Sequence, residues 1–433
     1  MSFSPALAFY RTATTMLGPF AGAWLNARAK KGKEDPNRIA ERFGRYANAN
    51  RPSGVLVWLH AASVGESGVA LHLAEALGAS VPGLSFLLTT GTKTSAELVA
   101  RRGGANVRHV YAPLDRRDIV ARFLAHWRPD LGIFVESELW PNLILGAQRA
   151  GVKLALVNAR MSASSLRRWR NWRNAGSRVM RAFAFANGAD QRTADSIAML
   201  RGEQARTIGN LKLAAPAPHI DRALRADLAA QIGERPLWLA ASTHEGEDEI
   251  VLAAHERLRQ LHPRALLIIA PRHPERGGSV AALAGGAPRR SLGDGIGQAS
   301  VFVADTMGEL GALYDLAPVS LVAGSLIRHL KGHNPIEPAK LGSAVLSGPY
   351  VDSFEPVFET LRAARGLEMV SDSDSLAACV DRLWRDHAAR TGLTEAARQA
   401  LASGASAWDE TLSALRSLLP APSLASEHAH APA

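Results

Sequence analysis

Several stretches of the chain pair acids or bases with glycines and small residues in ways that suit chemistry on an anionic substrate. In His60-Ala-Ala-Ser-Val-Gly-Glu66 an apolar run ends in a small-residue turn, and a helical pattern then puts Glu66 in its first turn. A carboxylate there is either a general base facing a ligand or a helix-start charge stabilised by the dipole. Both readings stay open on the residues alone. Glu136-Ser-Glu138-Leu-Trp-Pro-Asn142 sets two acids two apart at the end of another apolar run, and Pro141 then restarts a helix. Gly209-Asn-Leu-Lys212 offers Lys212 to a phosphate or a developing negative charge, unless it is a solvated linker residue.

The second half repeats the theme. Ser242-Thr-His-Glu-Gly246 follows an apolar run and opens a helix, so backbone N–H groups and hydroxyls are offered to an anion. Pro271-Arg-His-Pro-Glu-Arg276 places Arg272 for a phosphate or carboxylate. Asp305-Thr-Met-Gly-Glu-Leu310 reads as a capped helix start, with Asp305 or Thr306 as the cap. Lys331-Gly-His-Asn-Pro-Ile-Glu-Pro338 puts Asn334 and Glu337 one helical turn apart, a pair that suits ribose hydroxyls or a base edge. Such segments at successive strand ends of one half point to a nucleotide site. No Walker A sequence, no G-x-G-x-x-G after the first strand, no H-E-x-x-H and no Gly-x-Ser-x-Gly is present. Asp372-Ser-Asp374 has the form of a metal–diphosphate motif, but it precedes a helix and reads as a cap.

These residues need strands to carry them. Val55–His60, Leu84–Thr89, Val107–Tyr111, Leu131–Val135 and Leu154–Asn158 are strand candidates with helical segments between them. After a break at Ala214-Ala-Pro-Ala-Pro-His219 the pattern restarts with Leu237–Ala241, Ala265–Ala270, Val301–Ala304, Ser320–Ala323 and Ser343–Leu346. Strand, helix, strand at this spacing predicts an α/β fold of two Rossmann-like halves with parallel sheets, a hinge near 210–225 and a ligand cleft between the halves.

Across 433 residues the formal charge is +10, which favours anionic partners. Residues 1–50 hold eight basic residues against three acids, giving +5, beside an apolar stretch from Ser4 to Leu25. Only 16 uncharged residues separate Arg11 from Arg28, short of the roughly 20 that a spanning helix needs. An interfacial anchor with Trp24 at headgroup level, or a docked helix, fits better, and a cleaved signal peptide fits poorly. A second block, from Arg149 to Arg181, holds nine positive charges and no acid; Arg160, Arg167, Arg168, Arg170 and Arg173 lie within it, with Trp169 and Trp172 interleaved. Arg with Trp suits phosphate and headgroup contact. Nucleic acid would use the same residue types, but no nucleic-acid-binding motif accompanies them. The single cysteine, Cys379, excludes a disulfide framework and a Cys-based zinc site, and it reads as core in a reducing compartment.

Together His60–Glu66, Glu136–Asn142, Asn158-Ala-Arg-Met-Ser162, Ser242–Glu247, Pro271–Arg276, Asp305–Leu310 and Gly332–Glu337 resemble, in order, the 3-deoxy-D-manno-octulosonic acid (Kdo) transferase family. The resemblance implies a GT-B glycosyltransferase that moves Kdo from CMP-Kdo to a phosphorylated lipid A precursor of the lipid IVA type. It implies inversion at the anomeric centre, no metal and no other cofactor. By motif, Glu66 is the implied general base, Glu136 and Lys212 stabilise the transition state, and Pro271, Arg272, Met307, Gly308, Glu309, Asn334 and Glu337 hold CMP. The implied layout is a membrane-associating segment 1–35, an acceptor domain 36–213, a linker 214–225, a CMP-Kdo domain 226–415 and a disordered tail 416–433. The implied location is the cytoplasmic face of a bacterial inner membrane, with no nucleic-acid partner. Two departures stand out: Lys331 replaces a glycine usual in the family, and Ser95 ends the Thr89–Ser95 stretch where relatives usually have glycine. A GT-B enzyme using a UDP-sugar, transferase or epimerase, is the alternative in the same fold. A basic nucleic-acid-binding protein is the alternative from another class.

Overall fold

A strand covered by helices on both faces must be apolar throughout, and the central strands here are: every residue of Leu56–Ala61 and of Leu131–Val135 is buried. The computed structural model describes residues 4–47, 49–136, 139–203, 209–214 and 217–420. Two compact units emerge, one of Met1–Leu211 with Ser406–Ala433 and one of Lys212–Ala405.

In the first unit β1 (Leu56–Ala61), β2 (Ser85–Thr90), β3 (Val107–Tyr111), β4 (Leu131–Val135), β5 (Lys153–Ala159) and β6 (Phe185–Gly188) form a parallel sheet in the order β3-β2-β1-β4-β5-β6. Alternate residues feed two cores: Trp58 and Phe134 pack with Phe123 and Trp127 on one face, while Leu59 and Phe86 pack with Leu77 on the other. Gly132 sits opposite Trp58 on β4, where a Cβ would meet Leu154 at 2.8 Å and the indole at 3.1 Å. In the second unit β7 (Leu237–Thr243), β8 (Leu266–Pro271), β9 (Val301–Val303), β10 (Val319–Val322), β11 (Ala344–Ser347) and β12 (Glu368–Met369) repeat the winding as β12-β11-β10-β7-β8-β9, again parallel. The strand order reverses between β1 and β4 and between β7 and β10. Loops at such a switch point diverge and leave room for a ligand beyond the strands' carboxyl ends.

Several boundaries differ from those read in the sequence. The segment 1–35 groups with the first unit. Helices Pro5–Met16 and Gly18–Lys30 pack on the first unit, burying Leu7 and Leu25, and the Tyr10 hydroxyl donates to Asp115 at 2.8 Å. The assigned linker 214–225 already contains the start of a helix, Arg222–Ile232. Asp221 caps it by accepting from the amides of Ala223 and Leu224, and Leu224, Leu228 and Ile232 enter the second core. The last helix, His387–Leu418, extends past the proposed end at 415, and Ala407, Leu412 and Leu415 belong to the first unit's core. The rest of the tail, 421–433, lies outside the described residues. Asp372 forms a capping box with Ser375, and Cys379 is buried.

Two buried histidines set an acid limit on the fold. His60 is 2% exposed beside Thr89, and burial followed by the Arg42 charge pushes it down to about 3. His255, also 2% exposed, accepts from Trp238 and faces the Ser300 carbonyl; it lies at about 4, chiefly through burial. Both folded values lie below the ordinary 6.5, so the unfolded chain takes up more protons as pH falls from 6.5 towards 3. Their contribution is intact above about 6.5 and is lost progressively below it. Lowering pH from 7 to 5 is expected to cost roughly 2 kcal/mol for each histidine. A urea midpoint unchanged between those pH values would show that neither is held neutral by the fold.

Candidate active site

Helix Val64–Ser80 starts directly after β1, capped by Ser63, whose hydroxyl accepts from the Glu66 amide at 3.3 Å. The Glu66 carboxylate turns back over this start. One oxygen accepts from the Ala62 amide at 2.8 Å and the other from the Ser63 hydroxyl at 2.9 Å. Glu66 is therefore oriented by the cap and only 7% exposed. The two roles left open by the sequence coincide in one geometry: it is a helix-start charge, and it is held at the β1/β4 switch point.

Glu136 follows β4 in a left-handed conformation at φ 60°, and Asn158, at the end of β5, has φ 54°. Two non-glycine residues in this region on adjacent strands store strain that the surroundings must offset. Asn158 supplies the tie. Its Nδ2 faces a Glu136 oxygen at 3.4 Å, its Oδ1 accepts from the Leu211 amide at 2.8 Å, and its own amide donates to Asn187 at 2.7 Å. Asn187 in turn donates to Thr411 at 3.1 Å. Asn158 thus links the Glu136 turn to the residue preceding Lys212, in a 3-10 turn that runs Leu211–Ala214. Asn158 and Asn187 were not among the candidates; the position of Asn158 at a strand end was the available signal. Glu138 lies outside the described residues.

A cavity of about 340 Å³ next to this loop is lined by Arg28, Glu34, Arg42, His60, Ala62 and Trp140 among others. Glu34, 3% exposed, takes Arg28 at 2.9 Å and Arg42 at 2.9 Å, and Arg42 also donates to the carbonyls of Gly91 and Ala112. Asp115 lines the same cavity, so two acids face two guanidiniums there. A smaller cavity, about 190 Å³, joins Tyr10 of the amino-terminal helix to Trp140, Arg168, Trp169 and Trp172. Arg167, Arg168, Arg170, Trp172 and Arg173 are exposed, Trp169 is half-buried, and Arg160 lies 4.0 Å from Asp190. In the Thr89–Ser95 stretch Ser95 lies in the cap of helix Lys93–Arg102, its amide donating to Thr92 at 3.2 Å.

In the second unit Glu247 organises the loops. It is fully buried and accepts from four amides: His244 at 3.1 Å, Gly324 at 2.7 Å, and Ser325 and Leu326 each at 3.0 Å. The turn after β7 is thereby clamped to the turn after β10. His244 and His333 then meet Nε2 to Nε2 at 2.8 Å with rings 16° from parallel, and His273 approaches His244 edge-on. Such a bond needs one donor and one acceptor. Burial first, then the facing His244 and Arg272, hold His333 at about 4, so the pair is neutral near pH 7. Gly324, at φ 71°, allows the contact, because a Cβ there would meet the His333 ring at 2.5 Å.

Pro271 ends β8 and the exposed Arg272 follows it, its amide donating to Thr243 at 3.0 Å. Asn334 and Glu337 pair as their spacing predicts, Nδ2 to carboxylate at 3.2 Å, while Asn334 Oδ1 accepts from the Ile336 amide. After β9, Met307 is 73% exposed and Gly308 has φ 87°. Glu309 bonds Arg290 and Thr306. Asp305 does not cap the following helix. It is 3% exposed and receives Ser291 and Arg289, and Glu309 takes the N-cap place without a side-chain bond. Lys331 takes a left-handed φ of 65°, the conformation that a glycine holds without strain. Among the described residues no three His, Cys, Asp or Glu side chains are grouped to hold a metal ion.

Residues 37–215 match the family model described as 3-deoxy-D-manno-octulosonic-acid transferase (kdotransferase). Over 427 residues the chain is 33% identical to the 3-deoxy-D-manno-octulosonic acid transferase of Haemophilus influenzae, covering 95% of this chain and 98% of that protein. Identity to the Bordetella pertussis transferase is 34% over 429 residues, 95% and 99% of the two chains. MurG of Acinetobacter baumannii shares the fold, with a TM-score of 0.52 and 14% identity over 84% of this chain and all of that one. The two doubly wound parallel sheets are those of the GT-B glycosyltransferases, and the chain belongs to the Kdo transferase family.

Proposed function

We propose that this enzyme transfers Kdo from CMP-Kdo to a hydroxyl of a phosphorylated lipid A precursor of the lipid IVA type, with inversion and without a metal. The observation that carries the reading is the Glu66 carboxylate, fixed by Ala62 and Ser63 at the switch point of a chain that aligns with 98% of the length of a Kdo transferase. Glu66 takes the proton of the acceptor hydroxyl as its oxygen bonds to the anomeric carbon. The bond from that carbon to the CMP phosphate oxygen breaks on the opposite face, and its electron pair leaves with CMP. Arg272 and Lys212 meet the charge on the departing phosphate, with Glu136 set by Asn158 for the transition state. Asn334 and Glu337 hold the nucleotide, with Pro271, Met307, Gly308 and Glu309 around it. Calorimetry with the full chain tests the donor: CMP is expected to bind at least about tenfold more tightly than UDP, and the reverse order would favour a UDP-sugar enzyme.

The same reading places the enzyme on an anionic bilayer, at the cytoplasmic face of a bacterial inner membrane. No helix among the described residues is long and apolar enough to cross. Phe9, Met16, Phe20 and Trp24 on the two amino-terminal helices, and Leu17 between them, are nonetheless more than half exposed, and Arg28 stacks on Trp24. Nucleic acid is a poorer partner, since no nucleic-acid-binding motif accompanies the basic block. Replacing Arg167, Arg168, Arg170 and Arg173 by Gln is expected to weaken flotation with phosphatidylglycerol vesicles at low salt, by about 1 kcal/mol per charge, with little effect at high salt. Equal flotation at low salt would leave those arginines as solvated charge.

A further inference from the structure

Four arginines gather in the first unit, two of them from the basic block Arg149–Arg181 but none among its residues assigned above to acceptor or membrane contact. Arg11 comes from helix Pro5–Met16, Arg117 from helix Arg117–Trp127, Arg149 from helix Pro141–Arg149 and Arg178 from helix Arg173–Met180. Arg11 lies below the ordinary guanidinium value through burial and then the charges of Arg149, Arg117 and Arg178. Arg149 is lowered by burial and by Arg117 and Arg178. Among the described residues no salt bridge engages Arg11, Arg117 or Arg149. Nearby acids are committed elsewhere: Asp118 to Arg116 and Arg122, Asp115 to Tyr10 and the Asn142 and Leu143 amides, and Asp130 to Arg51. Holding Arg11, Arg117 and Arg149 near one another with no ion-pair partner among the described residues costs stability, so their arrangement calls for an anion.

The space for one is present. Arg117 and Arg149 line a cavity of about 870 Å³, together with Arg128, Lys153, Asp130 and Asn142. Two polar atoms beside the cluster are buried without a hydrogen-bond partner, the Nε donor of Arg11 and the Oδ1 acceptor of Asn142. Asn142 is 1% exposed, and its amide nitrogen is used by the Asp115 carbonyl and by Thr14, one turn along from Arg11. An open donor and an open acceptor suit a group with anionic oxygens and a hydroxyl, such as a hydrogen phosphate or a phosphate ester next to a hydroxyl.

We propose that Arg117 and Arg149, with Arg11 beside them, form a binding site for a phosphoryl anion, separate from the residues assigned to donor and acceptor. The site does not depend on the reaction proposed above. The test compares the full chain with Arg117→Gln/Arg149→Gln and with Arg362→Gln as a control, since Arg362 pairs with Glu355 on the surface of the other unit. Inorganic pyrophosphate is titrated by calorimetry and by thermal shift. The wild type and the control are expected to bind it alike, and the double variant at least about tenfold more weakly. Retained Tm without ligand confirms that the double variant folds; if it does not fold, the single Arg149→Gln chain replaces it. Flotation with phosphatidylcholine vesicles, with and without phosphatidic acid, identifies the source. A loss in both assays assigns the site to a lipid headgroup, and a loss for pyrophosphate alone assigns it to a free phosphoryl anion. Equal pyrophosphate affinity in all three chains, or no binding by the wild type, overturns the proposal.

Discussion

Glu66→Gln is expected to keep donor binding and to lose at least about 100-fold in turnover, a range typical of general-base removal. The structure makes this a clean substitution. The Gln carbonyl can still accept from the Ala62 amide, and its NH₂ can donate to the Ser63 hydroxyl, which can reverse its role. Shape, cap and helix are retained, and only the capacity to take a proton is lost. A fold effect would appear as a lowered melting temperature and a general role in binding as weaker CMP affinity. Neither is expected. Near-normal turnover would remove Glu66 from the role of base and leave it as the helix-start charge that its hydrogen bonds equally describe.

The second large effect is on stability, and Glu247 carries it. Each of its oxygens accepts two backbone amides: one serves His244 and Gly324, the other Ser325 and Leu326. Here Gln is no substitute. Its NH₂ would have to face two N–H donors, leaving them unsatisfied at zero exposure. Glu247→Gln and Glu247→Ala are therefore both expected to cost about 3 kcal/mol or more in urea denaturation, and to weaken CMP binding by loosening the turns that carry His244 and His333. A Glu247→Gln chain as stable as the wild type would show that the clamp is not required. The contrast between the two glutamates follows from the count and direction of their donors, since both are buried acids at helix starts.

The doubly wound class was legible because buried parallel strands are runs of apolar residues, and ten strands were read at or near their places. β6 and β12 escaped for physical reasons. Phe185-Ala-Asn-Gly188 ends in polar and small residues because Asn187 serves Asn158, and Glu368–Met369 is a two-residue edge strand with little to bury. The candidate residues at strand ends were readable for the same topological reason, since the loops after β1, β4, β7, β8, β9 and β10 carry them. What holds them was not. Asn158, Asn187 and Glu247 act through backbone amides brought together by the fold, and pairings between residues as distant as 224 positions leave no mark in local sequence. The amino-terminal stretch was ambiguous because its exposed Phe9, Met16, Leu17 and Phe20 give the composition of an anchor, while the few residues that dock it, Leu7, Tyr10 and Leu25, are scattered among them.

Kdo transfer from a CMP donor is tested most directly by the mass of the product. Purified enzyme incubated with CMP-Kdo and the phosphorylated lipid A precursor is predicted to shift the lipid's mass by whole Kdo residues while CMP is released in equal amount. An unshifted lipid under those conditions, with a shift or turnover appearing instead when UDP-sugars are supplied, would contradict the account.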